Sequence, residues 1–162
     1  MNMDTLSFRE SCLPSDILAV GRILRDCGFF NEAEQEVGVS LVTERLEKGL
    51  DSGYFFMFAE QNGHVVGYTC FGPIPGTASS YDLYWIAVSN ELRGKGIGTV
   101  LITTTEEKIK HFGGTRVYVE TSSKELYVPT RNFYESNNYV LEASLKDYYG
   151  PEDDKLMYVK VL

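Results

Sequence analysis

Arg93-Gly-Lys-Gly-Ile-Gly98 sets three glycines at alternate positions beside two cations, just ahead of a helical run from Thr99 to about Phe112. A glycine-rich turn that feeds a helix start leaves backbone N–H groups free and lets them approach an anion closely. The helix dipole adds to the attraction, so phosphate is the natural guest. A plain flexible turn is the bland alternative. Two nucleotide motifs fit less well. A dinucleotide fingerprint wants Gly-x-Gly-x-x-Gly directly after a strand, whereas Gly94, Gly96 and Gly98 come later and with another spacing. A triphosphate loop needs Gly-Lys followed by Ser or Thr, and Lys95 is followed by Gly96. The second chemical candidate is Asp82, the one carboxylate in the apolar run Tyr81–Val88. Such a carboxylate is costly unless paired or used, and burial raises its pKa toward that of a general base. A salt bridge, or a place at the strand's exposed end, is the structural alternative.

These residues need elements to hold them. Tyr81–Val88 suits a strand covered on both faces. Ahead of it, Asp4–Arg9 reads as a short first strand. Leu13-Pro-Ser-Asp16 signals a helix start, and Ile17, Val20, Ile23 and Leu24 give the helix an apolar face that ends near Gly28. Asn31 is a cap for a second helix from about Glu32 to Lys48, with Val37, Leu41, Val42 and Leu46 inward. Tyr54–Glu60 and His64–Phe71 form a hairpin around Gln61-Asn-Gly63. His64 is an exposed bystander, and His111 sits favourably at a helix C-terminus. Gly113-Gly114 closes the helix after the glycine turn. Arg116–Thr121 is a strand and Pro129–Asn137 a short helix. Tyr139–Leu145 and Leu156–Val161 are final strands, joined by the polar connection Lys146–Asp154.

The chain has 162 residues, the size of one domain, expected to span 1–162. Fifteen basic against twenty-three acidic residues give a net charge of −8. That balance excludes a general nucleic-acid binder, which needs a basic face, and suits either a cationic substrate or plain solubility. Cys12, Cys27 and Cys70 have neither metal-ligand spacing nor the even count of a disulfide framework, so reduced core thiols are expected and no metal. Neither a signal peptide nor a membrane-spanning stretch is read, so the expected location is cytoplasmic.

Arg93, Gly96 and Gly98, preceded by a strand ending Ile86-Ala-Val88, fill the Arg/Gln-x-x-Gly-x-Gly/Ala signature and resemble motif A of the GNAT (Gcn5-related) N-acetyltransferases. The order of strands and helices resembles that family over almost the whole chain. The resemblance implies the GNAT fold, of mixed α/β (α+β) class. Its mostly antiparallel central sheet has about seven strands, flanked by about four helices.

It also implies an N-acetyltransferase that moves an acetyl group from acetyl-CoA to a primary amine by direct attack in a ternary complex. The implied partners are a small amine or a peptide N-terminus, with a homodimer common in the family. The coenzyme's pyrophosphate would lie on the amides of Arg93, Gly94, Lys95, Gly96, Ile97, Gly98 and Thr99. Its pantetheine arm would pair with Ile86, Ala87 and Val88, and an N–H near Val88 would meet the oxyanion. Asp82 falls where histone-acetylating relatives carry a catalytic glutamate, and Tyr84 where others carry a histidine. Phe133-Tyr134-Glu135 resembles the segment whose tyrosine protonates the leaving thiolate, which makes Tyr134 the general acid. The usual coenzyme-contacting asparagine is replaced by Tyr127. Arg131 is implied either to position the coenzyme's phosphate end or to pair with an acid. Glu32, Glu34 and Glu36 either compensate a helix dipole or hold an acceptor ammonium. Two further readings stand beside this one: acetylation of protein N-termini, as in ribosomal-protein acetyltransferases, and a non-catalytic acyl-CoA-binding module.

Overall fold

The computed structural model describes residues 6–162, so the expected strand start at Asp4 lies outside the described residues. Seven strands form one sheet in the order β1-β2-β3-β4-β5-β7-β6. In chain order the elements are β1 (Leu6–Arg9), α1 (Asp16–Asp26), α2 (Glu32–Lys48), β2 (Phe55–Gln61), β3 (His64–Pro73) and β4 (Ser80–Val88). α3 (Ile97–His111), β5 (Arg116–Ser122), α4 (Val128–Ser136), β6 (Val140–Gly150) and β7 (Asp153–Val161) follow. The β4–β5 pair is parallel, while β1–β2, β2–β3, β5–β7 and β6–β7 are antiparallel. The expected mixed sheet with four helices is therefore present. Two compact units divide the described residues. One takes those up to Gly72 together with Trp85–Glu107; the other takes Pro73–Tyr84 with Lys108–Leu162.

In the first unit, Val20, Ile23 and Leu24 of α1 pack with Val42 of α2 and with Phe56, Phe58 and Tyr68 of the β2–β3 hairpin. Asn62 and Gly63 turn that hairpin at φ 52° and 76°, the left-handed pair that Asn-Gly adopts most readily. Asn31 and Glu34 form a capping box at the head of α2. Glu34 is thereby engaged locally, which favours the dipole reading of the α2 glutamates over an ammonium site. Val37, expected inside, is exposed. The buried side of α2 is set by Gly38 and Val42, one position round the helix. A Cβ at Gly38 would overlap Leu24 Cδ1 and stand in ordinary contact with Trp85, so α2 approaches α1 closely there. Asp16 is no simple dipole acid. It is buried, accepts from Leu13 N–H at 2.7 Å and takes both ends of the Arg9 guanidinium at 2.8 and 2.9 Å.

In the second unit, Gly113 and Gly114 return N–H bonds to Lys110 and Ile109, a Schellman stop for α3. The polar connection expected over Lys146–Asp154 is largely strand. β6 runs on to Gly150 and β7 begins at Asp153. Alternation is hidden there because the register shifts between Leu145 and Gly150, with Asp147 at φ 54°. Carboxylates replace the ladder: Asp147 N–H donates to Asp154 Oδ1 and Glu152 N–H to Asp147 Oδ1, each at 2.9 Å. No α-helix among the described residues is long and apolar enough to cross a membrane.

Candidate active site

The strand expected to be covered on both faces is covered on one. Leu83 and Ala87 of β4 are buried and Trp85 packs edge-on to Phe30 with ring centroids 4.9 Å apart. Between them Tyr84 is exposed, and Asp82, Ile86 and Val88 are only partly covered. By strand alternation Asp82 and Tyr84 of the second unit lie on the face opposite buried Leu83, and Ile86 and Val88 of the first unit on the face opposite buried Ala87. A continuous apolar run does not distinguish these two cases, because a strand face can be apolar without being packed.

In the first unit, Ser89 N–H bonds Val66 O at 2.7 Å and pins the end of β4 to β3. Gly67 lies behind this point; a Cβ on it would stand 3.1 Å from the Ala87 carbonyl oxygen. A short turn, Asn90–Leu92, then leads into the glycines. Gly94 and Gly96 sit at φ 72° and 81°, left-handed values that cost other residues energy. The described residues supply no acceptor for the amides of Gly94, Lys95 and Gly96. Ile97, Gly98 and Thr99 head α3, where N–H groups have no partner within the helix. α3 thus begins two residues before the expected Thr99. Ile97, Leu101 and Ile102 anchor it in the core, and its Thr105 hydroxyl meets that of Thr69 at 2.7 Å. The Arg93 guanidinium is directed elsewhere than the turn's amides: it donates to Cys27 O at 3.1 Å and lies 4.7 Å above the Phe29 ring. Lys95 is exposed as Arg93 is, but no hydrogen bond or ring contact among the described residues ties it to the α1–α2 connection.

The second unit holds Asp82, Tyr84, Arg131 and Tyr134. The β4–β5 ladder joins Ser80, Tyr81 and Asp82 to Arg116, Val117 and Tyr118. Asp82 is half-buried, and its pKa is pushed up from 3.8 to about 6 by desolvation first and by the Glu120 charge second, with Lys155 opposing. Lys155 Nζ pairs with Glu120 Oε2 at 3.0 Å and lies 4.4 Å from the Tyr148 ring centroid. Burial thus moves the titration of Asp82 toward neutral pH. Sequence reasoning gave Glu120 and Lys155 no place beside Asp82, and read Tyr148 only as a tyrosine able to close the acceptor groove. The alternation of Arg116–Thr121 put Glu120 off the core face, but only the strand register could bring Lys155 beside it.

Tyr134 on α4 is buried among the rings of Phe133, Tyr139 and Tyr158 at centroid distances of 5.7, 5.7 and 6.2 Å. Burial holds its hydroxyl well above the ordinary tyrosine value, so it stays protonated and able to donate. Arg131 Nη1 donates to the carbonyls of Ser122 and Lys124 at 2.7 and 2.9 Å. It holds the end of β5; neither phosphate binding nor an acid is needed to account for its place.

A model of the Acetyltransferase (GNAT) family matches residues 18–139. An uncharacterized N-acetyltransferase of Methanocaldococcus jannaschii is 30% identical over 138 residues, covering 84% of this chain and 86% of that protein. The crystal structure of a GNAT-family protein from Desulfovibrio desulfuricans superposes with a TM-score of 0.95 at 40% identity, over 96% of this chain and 98% of the other. An aminoglycoside 6′-N-acetyltransferase solved with coenzyme A shares the fold, with a TM-score of 0.75 at 19% identity and 96% of each chain covered.

Proposed function

Because the chain belongs to the GNAT acetyltransferase family, an acyl-CoA-dependent group of enzymes, we propose that it binds acetyl-CoA on the Gly94–Thr99 turn and acetylates a primary amine. The observation that carries this reading is the run of amides at Gly94, Lys95 and Gly96 without acceptors of their own, continued by the head of α3. A diphosphate satisfies such donors, and Lys95 adds charge. Arg93 contributes indirectly, by holding the segment at Cys27 and Phe29. Ile86, Ala87 and Val88 offer strand backbone to an extended pantetheine arm.

Chemistry follows from the remaining residues. An alkyl ammonium with a pKa near 10 is neutral in only about one molecule in a thousand at pH 7. Asp82 accepts its proton, directly or through water. The freed nitrogen attacks the thioester carbonyl carbon, forming the C–N bond. A backbone N–H near Val88 stabilises the oxyanion. The C–S bond then breaks as the carbonyl re-forms, Tyr134 passes its proton to the departing sulfur, and the proton shed by the new amide nitrogen returns to Tyr134 through solvent. Tyr84, exposed on the face that Asp82 shares, lines the acceptor's approach.

Two measurements test this. Acetyl-CoA should raise the melting temperature, and an amine panel containing polyamines, amino acids, aminoglycosides and peptide N-termini should release free thiol with at least one member. Binding without turnover across that panel would leave a coenzyme-binding module. Absence of binding would sink both readings.

A further inference from the structure

Register places three charged groups of the second unit on one sheet face. Asp82 stands opposite Tyr118, Glu120 follows two residues later on β5, Met157 stands opposite Glu120, and Lys155 is two residues from Met157 on β7. Glu120 and Lys155 are bonded at 3.0 Å. The Lys155 side chain is only 12% exposed against 43% for Glu120, so the lysine is the more enclosed member of the pair. A lysine this covered would tend to lose its proton. Desolvation does lower its pKa, but the hydrogen bond and charge of Glu120 and the neighbouring Tyr148 more than offset it, and the net shift is upward.

We propose that Lys155 is a positioning residue for Asp82: its ammonium, fixed by Glu120 and the Tyr148 ring, neutralises Glu120 and leaves Asp82 as the uncompensated carboxylate of the group. The inference rests on Asp82 being the base. Two carboxylates on one face cannot both ionise freely unless a cation lies with them. Lys155 is that cation, and it is held where Glu120 takes its hydrogen bond. The group as a whole then carries one net negative charge, suited to an acceptor that arrives as a single ammonium. Glu120 and Lys155 act on Asp82 directly; Tyr148 and Tyr149 on β6 and Asp153 at the head of β7 surround them. Asp153 is itself occupied by the Ser122 hydroxyl and by Lys124 at 3.6 Å.

The test is a carbon-13 NMR titration of the side-chain carboxylates in the full-length protein, with the Asp82 signal assigned by its loss in Asp82→Asn. Lys155→Met should raise the Asp82 midpoint by about one pH unit, because Glu120 is then unopposed. Glu120→Gln should lower it, because Lys155 is then uncompensated. The double variant should return near the native midpoint, and Lys155→Arg should stay there. A lysine that merely packs would leave the Lys155→Met midpoint at the native value and the double-variant midpoint at the Glu120→Gln value; either result overturns the proposal, and the second comparison reads the lysine even if Lys155→Met alone does not fold. Failure of the base assignment is read separately: Asp82→Asn would then retain full turnover whatever the titrations give.

Discussion

The guanidinium of Arg93 lies 4.7 Å above the ring of Phe29, and the same side chain donates to the carbonyl of Cys27. The motif arginine thus fastens the α1–α2 connection to the segment that carries the glycine turn. Arg93→Ala should lower stability by about 1 kcal/mol, through the lost cation–π contact and hydrogen bond, and weaken acetyl-CoA only secondarily. Lys95→Ala should do the reverse: a several-fold rise in the acetyl-CoA dissociation constant with an unchanged denaturation midpoint. Calorimetry beside urea unfolding separates the two. Equal affinity losses in both variants would return Arg93 to the phosphate.

Gly96 tests the turn itself. At φ 81° an alanine pays roughly 1–2 kcal/mol for the left-handed backbone, although nothing lies within 4 Å of its Cβ. Relaxing that strain would redirect the amides, so Gly96→Ala should weaken acetyl-CoA by about tenfold or more, as calorimetry would measure. An unchanged affinity would mean that the amides at 94–96 do not hold the coenzyme.

Asp82 predicts opposite trends for activity and stability. Its folded-state pKa, about 6, exceeds the ordinary 3.8. The folded protein therefore binds that proton more tightly than the unfolded chain, and the associated stability, full below about pH 4, is lost as pH rises through about 6. kcat/KM should instead rise through the same window as Asp82 ionises. Asp82→Asn should abolish that limb and, above pH 6, raise thermal stability by an amount on the order of 1 kcal/mol after allowance for solvent screening. A variant that lost both activity and stability at pH 7.5 would speak against the desolvation account.

Tyr134→Phe keeps the ring packed against Phe133, Tyr139 and Tyr158 and removes only the hydroxyl. Stability should change by less than about 1 kcal/mol, while kcat falls roughly a hundredfold with coenzyme affinity retained. Single-turnover assays of thiol release with a reactive amine give the comparison. Unchanged kcat would leave Tyr134 as a packing residue alone.

Much of this architecture was legible because local chemistry announces it. Asn62-Gly63 dictates its hairpin, Asn31 with Glu34 dictates a helix start, and Gly113-Gly114 dictates a stop. The pKa direction of Asp82 followed from one carboxylate among apolar neighbours. What stayed hidden depends on partners distant in sequence. Val37 and Gly38 differ by one helical step, and only the presence of Leu24 and Trp85 decides which of them faces inward. The Lys146–Asp154 stretch pairs through Asp147 and Asp154 carboxylates, which no alternation pattern encodes. Arg93 carries the same charge whether it meets a phosphate or a phenyl ring, so composition could not choose between them.

Gly67 has a consequence that reaches beyond its own strand. A single methyl there would bear on the Ala87 carbonyl at 3.1 Å and on Leu101 and Val88 at 3.4 Å. The rear of the proposed acyl-carrier groove is therefore shaped by an atom the protein omits, and that spot transmits any added bulk straight into the backbone of residues 87 and 88. With the pantetheine arm along residues 86–88 as proposed, a substitution at position 67 should alter coenzyme affinity without touching the coenzyme.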